Sequence, residues 1–196
     1  RQGICPRAFA MDINAGPLER AKQHIAEMGA ADRISCILSD GLDQLPEKDV
    51  DSVIIAGMGG DLVVRILERG KEKLAGISEL ILSPQSHPEK VRHWLHDHEF
   101  RILEEDMLTE DGKYYIVIRA VHGRESYDKE CFYCFGERLV MNRHPVLLEY
   151  LDKEYQKYAK IYKTLADTSK EHIRKRKQEV RQRLEDIKEA MGYYEM

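Results

Sequence analysis

The chain has 196 residues, 42% of them hydrophobic and 34% charged, with a formal net charge of −4. That is enough apolar material for one core and a second, more polar element, and it excludes a disordered chain. The acidic balance excludes bulk basicity as a basis for nucleic-acid binding and leaves only a local basic patch. No apolar run approaches the roughly 18 residues that span a bilayer, and no basic start followed by an apolar stretch suggests a signal peptide, so a cytoplasmic protein with no membrane partner is expected.

In chain order, Gly3 and Pro6 read as a helix stop and a turn before a short strand over 8–11. Leu18, Ala21, Ile25 and Met28 recur at spacings of three and four, which predicts an amphipathic helix over 17–28 that stops at Gly29. Ile34–Leu38 reads as a strand, and "VDSVIIA" over 50–56 as a second, apolar enough to be covered on both faces. A helix is predicted over 61–69, with Leu62, Val63, Ile66 and Leu67 on its buried side. A strand over 79–83 precedes a helix marked by Val91, Trp94 and Leu95. Two extended runs, 100–107 and 113–121, flank the hairpin signal Asp111-Gly112. This order predicts an α/β domain over 1–123, a parallel sheet finished by an antiparallel pair.

Residues 124–144 read as a linker containing Cys131 and Cys134. That CxxC lacks two further ligands at suitable spacing, and Phe132 and Tyr133 between the thiols look like core, so no metal is expected. Four cysteines are too few for a disulfide framework. Over 145–196, Leu151, Tyr155, Tyr158, Tyr162 and Leu165 form one stripe, and Ile173, Val180, Leu184, Ile187 and Met191 another. "ADTSKE" interrupts them, which predicts an antiparallel coiled-coil hairpin.

Ligands of open parallel sheets bind beyond the carboxyl ends of the strands. The first strand runs into Asp12 and Ile13; a carboxylate there suits the two hydroxyls of a ribose, or caps the following helix. "SDGL" puts Asp40 and Gly41 after the second, where the carboxylate accepts from an adenine amine or simply forms a turn. "VIIAGMGGDLVV" then has three glycines in four positions, Gly57, Gly59 and Gly60 around Met58. The spacing is neither G-x-G-x-x-G nor a P-loop, and it lies downstream of the ribose acid. A nucleoside cofactor therefore fits better than a nucleotide. "LILSPQ" places Pro84 and Gln85 beyond the next strand, where an amide meets a purine edge or the loop merely turns.

Taken together, "DINAGPLERAKQHI", "SDGL", "VIIAGMGG", "LILSPQ" with "VRHWL", and "EEDMLTEDGKYYIVIRA" resemble the bacterial TrmK family of class I S-adenosylmethionine-dependent methyltransferases, which methylate N1 of adenine 22 in tRNA. The resemblance runs through nearly the whole chain. It implies a Rossmann-like sheet, S-adenosyl-L-methionine as cofactor, and a tRNA substrate. It also implies that Asp12 and Ile13 lie at the cofactor ribose, Asp40 and Gly41 at its adenine, and Gly57 and Met58 beside the methyl donor. Gly59, Gly60, Pro84 and Gln85 then face the target base. The family's glycine-containing segment resembling D-I-G-S/T-D-H-A-Y-L-P is not present, so the first strand and cofactor loop are expected to be missing and cofactor binding by this chain to be poor. The family's "QPN" is replaced by Ser83-Pro84-Gln85.

Adenine N1 already carries a lone pair, so no catalytic base is required and no catalytic residue is assigned; alignment and exclusion of water do most of the work. "HIRKRKQEVRQR" clusters Arg174, Lys175, Arg176 and Lys177, which reads as a solvated helix face or, given the resemblance, as a grip on tRNA phosphates. A monomer is expected, with self-association left open. The competing reading is a non-catalytic RNA- or protein-binding module on a degenerate methyltransferase scaffold. A nicotinamide-dependent oxidoreductase is disfavoured by the glycine spacing.

Overall fold

Apolar periodicity and turn residues produce the expected order of elements in the protein's structure, a computed structural model that describes residues 5–46, 48, 50–165 and 171–195. The elements are β1 (Ala8–Asp12), α1 (Ala15–Glu27), β2 (Ile34–Leu38), β3 (Ser52–Met58), α2 (Gly60–Leu74), β4 (Glu79–Pro84) and α3 (Pro88–Asp97). They continue with β5 (Phe100–Glu110), β6 (Lys113–His122), α4 (Glu130–Phe135), α5 (Glu137–Met141), α6 (Pro145–Thr164) and α7 (Glu171–Glu195). Gly3 and most of the "ADTSKE" interruption, 166–170, lie outside the described residues. Contacts divide the chain into two units, Arg1–Asp51 with Val64–Ile77, and Ser52–Val63 with Ser78–Met196.

In the first unit β1 and β2 pair in parallel, from Ala8 opposite Ile34 to Asp12 opposite Leu38. Helix α1 packs on both strands and buries Leu18. It ends as expected before Gly29, with the Ala30 N–H closing back onto the Ile25 carbonyl at 2.9 Å. Helix α2 runs five residues past its expected end, straight through Gly70. The Leu42 side chain lies 2.6 Å from where a Cβ on Gly70 would sit, so the glycine serves packing and does not stop the helix.

In the second unit the strand order is β3-β4-β6-β5, with β3 and β4 parallel and the other two pairings antiparallel. Asp111 and Gly112, at φ 49° and 73°, close β5 onto β6 in the left-handed geometry that Asp-Gly hairpins favour. One sheet face buries Val53, Ile55, Leu80, Leu82, Ile118 and Ala120. On the opposite face Ile54 is 69% exposed, so β3 is covered on one face within this unit, contrary to the expectation of two. Alternation along a strand reports sidedness only when one face is polar, and "VII" offers apolar residues to both.

Residues 124–144, read as a linker, contain α4 and α5, with Cys131, Phe132, Phe135, Leu139 and Val140 buried. Burial pushes the Cys131 thiol up to about 12 and the Cys134 thiol up to about 11, which leaves both poor nucleophiles at neutral pH. Helices α6 and α7 are antiparallel. Lys188 lies over the Tyr155 ring at 5.8 Å, Lys177 over Tyr162 at 5.4 Å, and the Tyr194 hydroxyl donates to the His144 carbonyl at 3.0 Å. The second half of α7 is also seated on α4: Val180, Ile187 and Ala190 are fully buried, and Arg183 stacks over the Phe135 ring at 4.5 Å.

Beneath α4 lies a buried ion pair. Arg92 on α3 donates from Nε to Glu105 Oε1 on β5 at 2.8 Å and from Nη1 to the Tyr133 carbonyl on α4 at 2.7 Å, and both charged side chains are shut off from solvent. Three elements therefore meet on one guanidinium. Beside it His96 sits 3.3 Å from Glu125, and burial lowers its proton affinity more than that carboxylate raises it.

Candidate active site

Asp12 ends β1 half-buried, and its Oδ1 accepts the Asn14 N–H at 2.7 Å. Asn14 itself makes no side-chain cap on α1. One carboxylate oxygen thus holds the turn, and the other has no hydrogen-bond partner among the described residues. Ile13 follows with 59% of its surface exposed, a large apolar side chain beside an available acceptor.

At the end of β2, Ser39 is buried and organises the next turn: its hydroxyl donates to the Gly41 carbonyl at 3.0 Å and accepts the Gln44 N–H at 3.0 Å. Asp40 is exposed, and one oxygen is held by Arg69 of α2, whose other nitrogen takes Asp43 at 2.5 Å. Arg69 is a residue that sequence reasoning missed; it lies 29 positions from Asp40, and nothing local in the chain announces the pairing. Gly41 lies against Ile66, whose Cγ2 is 3.0 Å from where a Cβ would stand.

In the second unit, the glycine run has two separate reasons. Gly57 adopts φ 76° at an irregularity in the β3–β4 register, and no described atom lies within 4 Å of where a Cβ would stand, so only its backbone conformation demands glycine. Gly60 is different. Its Cβ would fall 2.4 Å from both the Ser86 and the His87 carbonyl oxygens, and its N–H donates to the Ser86 carbonyl at 2.7 Å. What comes closest to this glycine is the protein's own loop between β4 and α3. Gly59 is intermediate, with only the Ser86 hydroxyl 3.0 Å away.

Pro84 is buried opposite Met58, and Gln85 donates its backbone N–H to the Met58 carbonyl at 2.8 Å while its side chain is exposed. That bond and the one from the Gly60 N–H clamp the ends of β3 and β4 together. Asp61, in the first turn of α2, pairs with Lys90 of α3 at 2.5 Å, and that hydrogen bond holds its carboxyl below the usual range. The aspartate thus ties two helix starts together. His87 precedes Pro88 in a left-handed conformation and pairs with Glu89, again unforeseen from sequence.

Of the basic cluster on α7, Arg174, Lys175 and Arg176 are exposed; Arg176 pairs with Glu179 at 3.2 Å, and Lys177 lies over Tyr162. Among the described residues, no group of three or more His, Cys, Asp or Glu side chains gathers as a metal site, and no helix is long and apolar enough to cross a membrane.

Residues 1–189 match the family model described as TrmK, tRNA (adenine(22)-N(1))-methyltransferase. The tRNA (adenine(22)-N(1))-methyltransferase of Bacillus subtilis (strain 168) is 33% identical over 196 residues, covering 95% of this chain and 81% of that protein. The crystal structure of the B. subtilis m1A22 tRNA methyltransferase matches with a TM-score of 0.86 at 32% identity, over 94% of this chain and 81% of that one. A Streptococcus pneumoniae chain solved in complex with S-adenosyl-L-methionine matches with a TM-score of 0.84 at 31% identity, over 94% and 81%. The α/β fold is Rossmann-like: a Streptococcus agalactiae protein of the NADB-Rossmann superfamily matches with a TM-score of 0.89 at 29% identity, over 96% of this chain and 81% of that one. With a family model spanning nearly its whole length, the chain belongs to the TrmK family of tRNA (adenine(22)-N(1))-methyltransferases.

Proposed function

We propose that the protein transfers a methyl group from S-adenosyl-L-methionine to N1 of adenine 22 in tRNA, acting in the cytoplasm where its substrate is found. The observation that carries this is the family match across residues 1–189. The side chains at the strand ends fit a nucleoside cofactor. The spare oxygen of Asp12 accepts from ribose hydroxyls, and Ile13 packs beside it. Asp40, its orientation set by Arg69, accepts from the cofactor's adenine amine next to Gly41. When bound, the cofactor supplies an electrophilic methyl group on a sulfonium.

Gly57 and Met58 line the methyl donor's side of the β3 turn, and Gly59, Gly60, Pro84 and Gln85 the side of the target base. A turn clamped by backbone hydrogen bonds holds its geometry without reorganising as the reaction proceeds, which is what alignment of two reactants requires. Transfer at N1 needs the Watson–Crick edge of the adenine exposed, so the base must leave its pairing in the folded RNA. Arg174, Lys175, Arg176 and Lys177 grip the surrounding phosphates.

Replacing those four residues with glutamine is expected to weaken tRNA binding and to flatten its salt dependence, by roughly one unit of slope in log K against log salt for each phosphate the variant no longer neutralises. An unchanged slope across a salt series contradicts the phosphate role. The activity itself is tested by locating the transferred methyl group on tRNA.

A further inference from the structure

The chain leaves β4 through Gln85 and Ser86 and reaches His87 at φ 50° and ψ 48°. Histidine enters the left-handed region more readily than most side chains, but a residue before proline is ordinarily extended. Such a conformation persists only where neighbours over-determine it. Here they do: the Ser86 and His87 carbonyls close over Gly60, and Pro88 opens α3 directly behind. The result is an imidazole displayed at the carboxyl ends of two parallel strands, β3 and β4, the edge at which such sheets bind ligands.

The ring is poised as well as displayed. His87 Nδ1 is 3.0 Å from Glu89 Oε1, and the side chains are 52% and 28% exposed. In the tautomer whose Nδ1–H donates to that carboxylate, Nε2 is left as an acceptor. The charged groups around it are Glu89 and Lys90 on α3 and Asp61 on α2, of which the last two pair with each other.

An acceptor in this place has a use in adenine N1 chemistry. The N1 lone pair forms the new bond to the methyl carbon while the carbon–sulfur bond breaks, its electron pair staying on sulfur. Positive charge passes from sulfur to the base and spreads onto the exocyclic N6 amine, whose N–H becomes a stronger donor. A fixed acceptor at N6 therefore binds the transition state better than the ground state. No proton has to be transferred.

We infer that His87 Nε2 accepts a hydrogen bond from the N6 amine of the target adenine, with Glu89 as the positioning residue that sets the ring's tautomer. This rests on the adenine N1 reading proposed above.

The test uses His87→Asn, since asparagine tolerates the left-handed backbone and should leave thermal unfolding unchanged. Its kcat on tRNA is expected to fall roughly tenfold to hundredfold with KM within about twofold. Glu89→Gln should give an intermediate loss. With purine, which lacks the N6 amine, in place of adenine 22, wild type and His87→Asn should differ little. Independently of turnover, RNA carrying 1-methyladenosine at that position should bind His87→Asn about tenfold more weakly. Wild-type kcat in the variant, or an equal loss on the purine substrate, overturns the role of His87. Failure of the wild type to methylate adenine 22 overturns the underlying reading, and this inference with it.

Discussion

Replacing Arg92 with methionine should lower the free energy of unfolding by about 3 to 5 kcal/mol, the cost of leaving a buried charge without its partner. The side chain of Glu105 has no access to solvent in which to recover its hydration, and the Tyr133 carbonyl on α4 loses its donor at the same time. The pair is not ideally satisfied. Arg92 Nη2 and Glu105 Oε2 are both buried without a hydrogen-bond partner among the described residues. Replacing both residues with methionine should therefore recover most of the loss, because it removes two desolvated charges together. Denaturant unfolding of the two single variants and the double variant measures this directly. A loss below about 1 kcal/mol for Arg92→Met would mean that water reaches the pair and that the junction of α3, β5 and α4 rests on apolar packing alone.

The glycine turn should show the second large effect, with an order among its members that chemistry alone does not suggest. Gly60→Ala sets a methyl group 2.4 Å from two backbone carbonyl oxygens, neither of which can rotate away. The clamp between β3 and the Ser86–His87 loop has to open, at a cost of about 3 kcal/mol, the upper end for an overpacked site. Methyl transfer should be lost with it, since the same loop carries His87 and Gln85. Gly57→Ala meets no neighbour and suffers only from φ 76°, about 1 to 2 kcal/mol. Gly59→Ala faces a serine hydroxyl that can turn aside, and should cost less than about 1 kcal/mol. Equal effects at the three positions, measured by thermal or denaturant unfolding, would contradict this assignment of causes.

These two sites also mark where sequence reasoning reaches and where it stops. Local periodicity carries the element order, because Leu18, Ile25 and the seam residues of α6 and α7 repeat at helical spacing. Asp111-Gly112 specifies its own turn. Arg92 is invisible to such reasoning: it sits between the apolar Val91 and His93-Trp94 as an ordinary polar residue, and its partners lie 13 and 41 positions away. The three glycines draw attention to 57–60, but the sequence suggests bound ligands as the reason for the missing side chains. At Gly60 the nearer cause is the backbone of the Ser86–His87 loop, a close approach from a distant segment that no local pattern encodes. The same holds for Arg69, which reaches Asp40 from a different element. His87 runs against its local rule, since a residue before proline is expected to be extended; deviations of this kind gather where function holds the backbone.

Most directly, the protein purified from its own gene and incubated with methyl-labelled S-adenosyl-L-methionine and a tRNA transcript bearing adenine at position 22 should place the label on N1 of that adenine. Nuclease digestion followed by mass spectrometry locates it. A transcript with guanine at position 22 should remain unlabelled. Label at another nucleoside, or no transfer to a transcript that the protein demonstrably binds, would contradict adenine 22 methylation as its function.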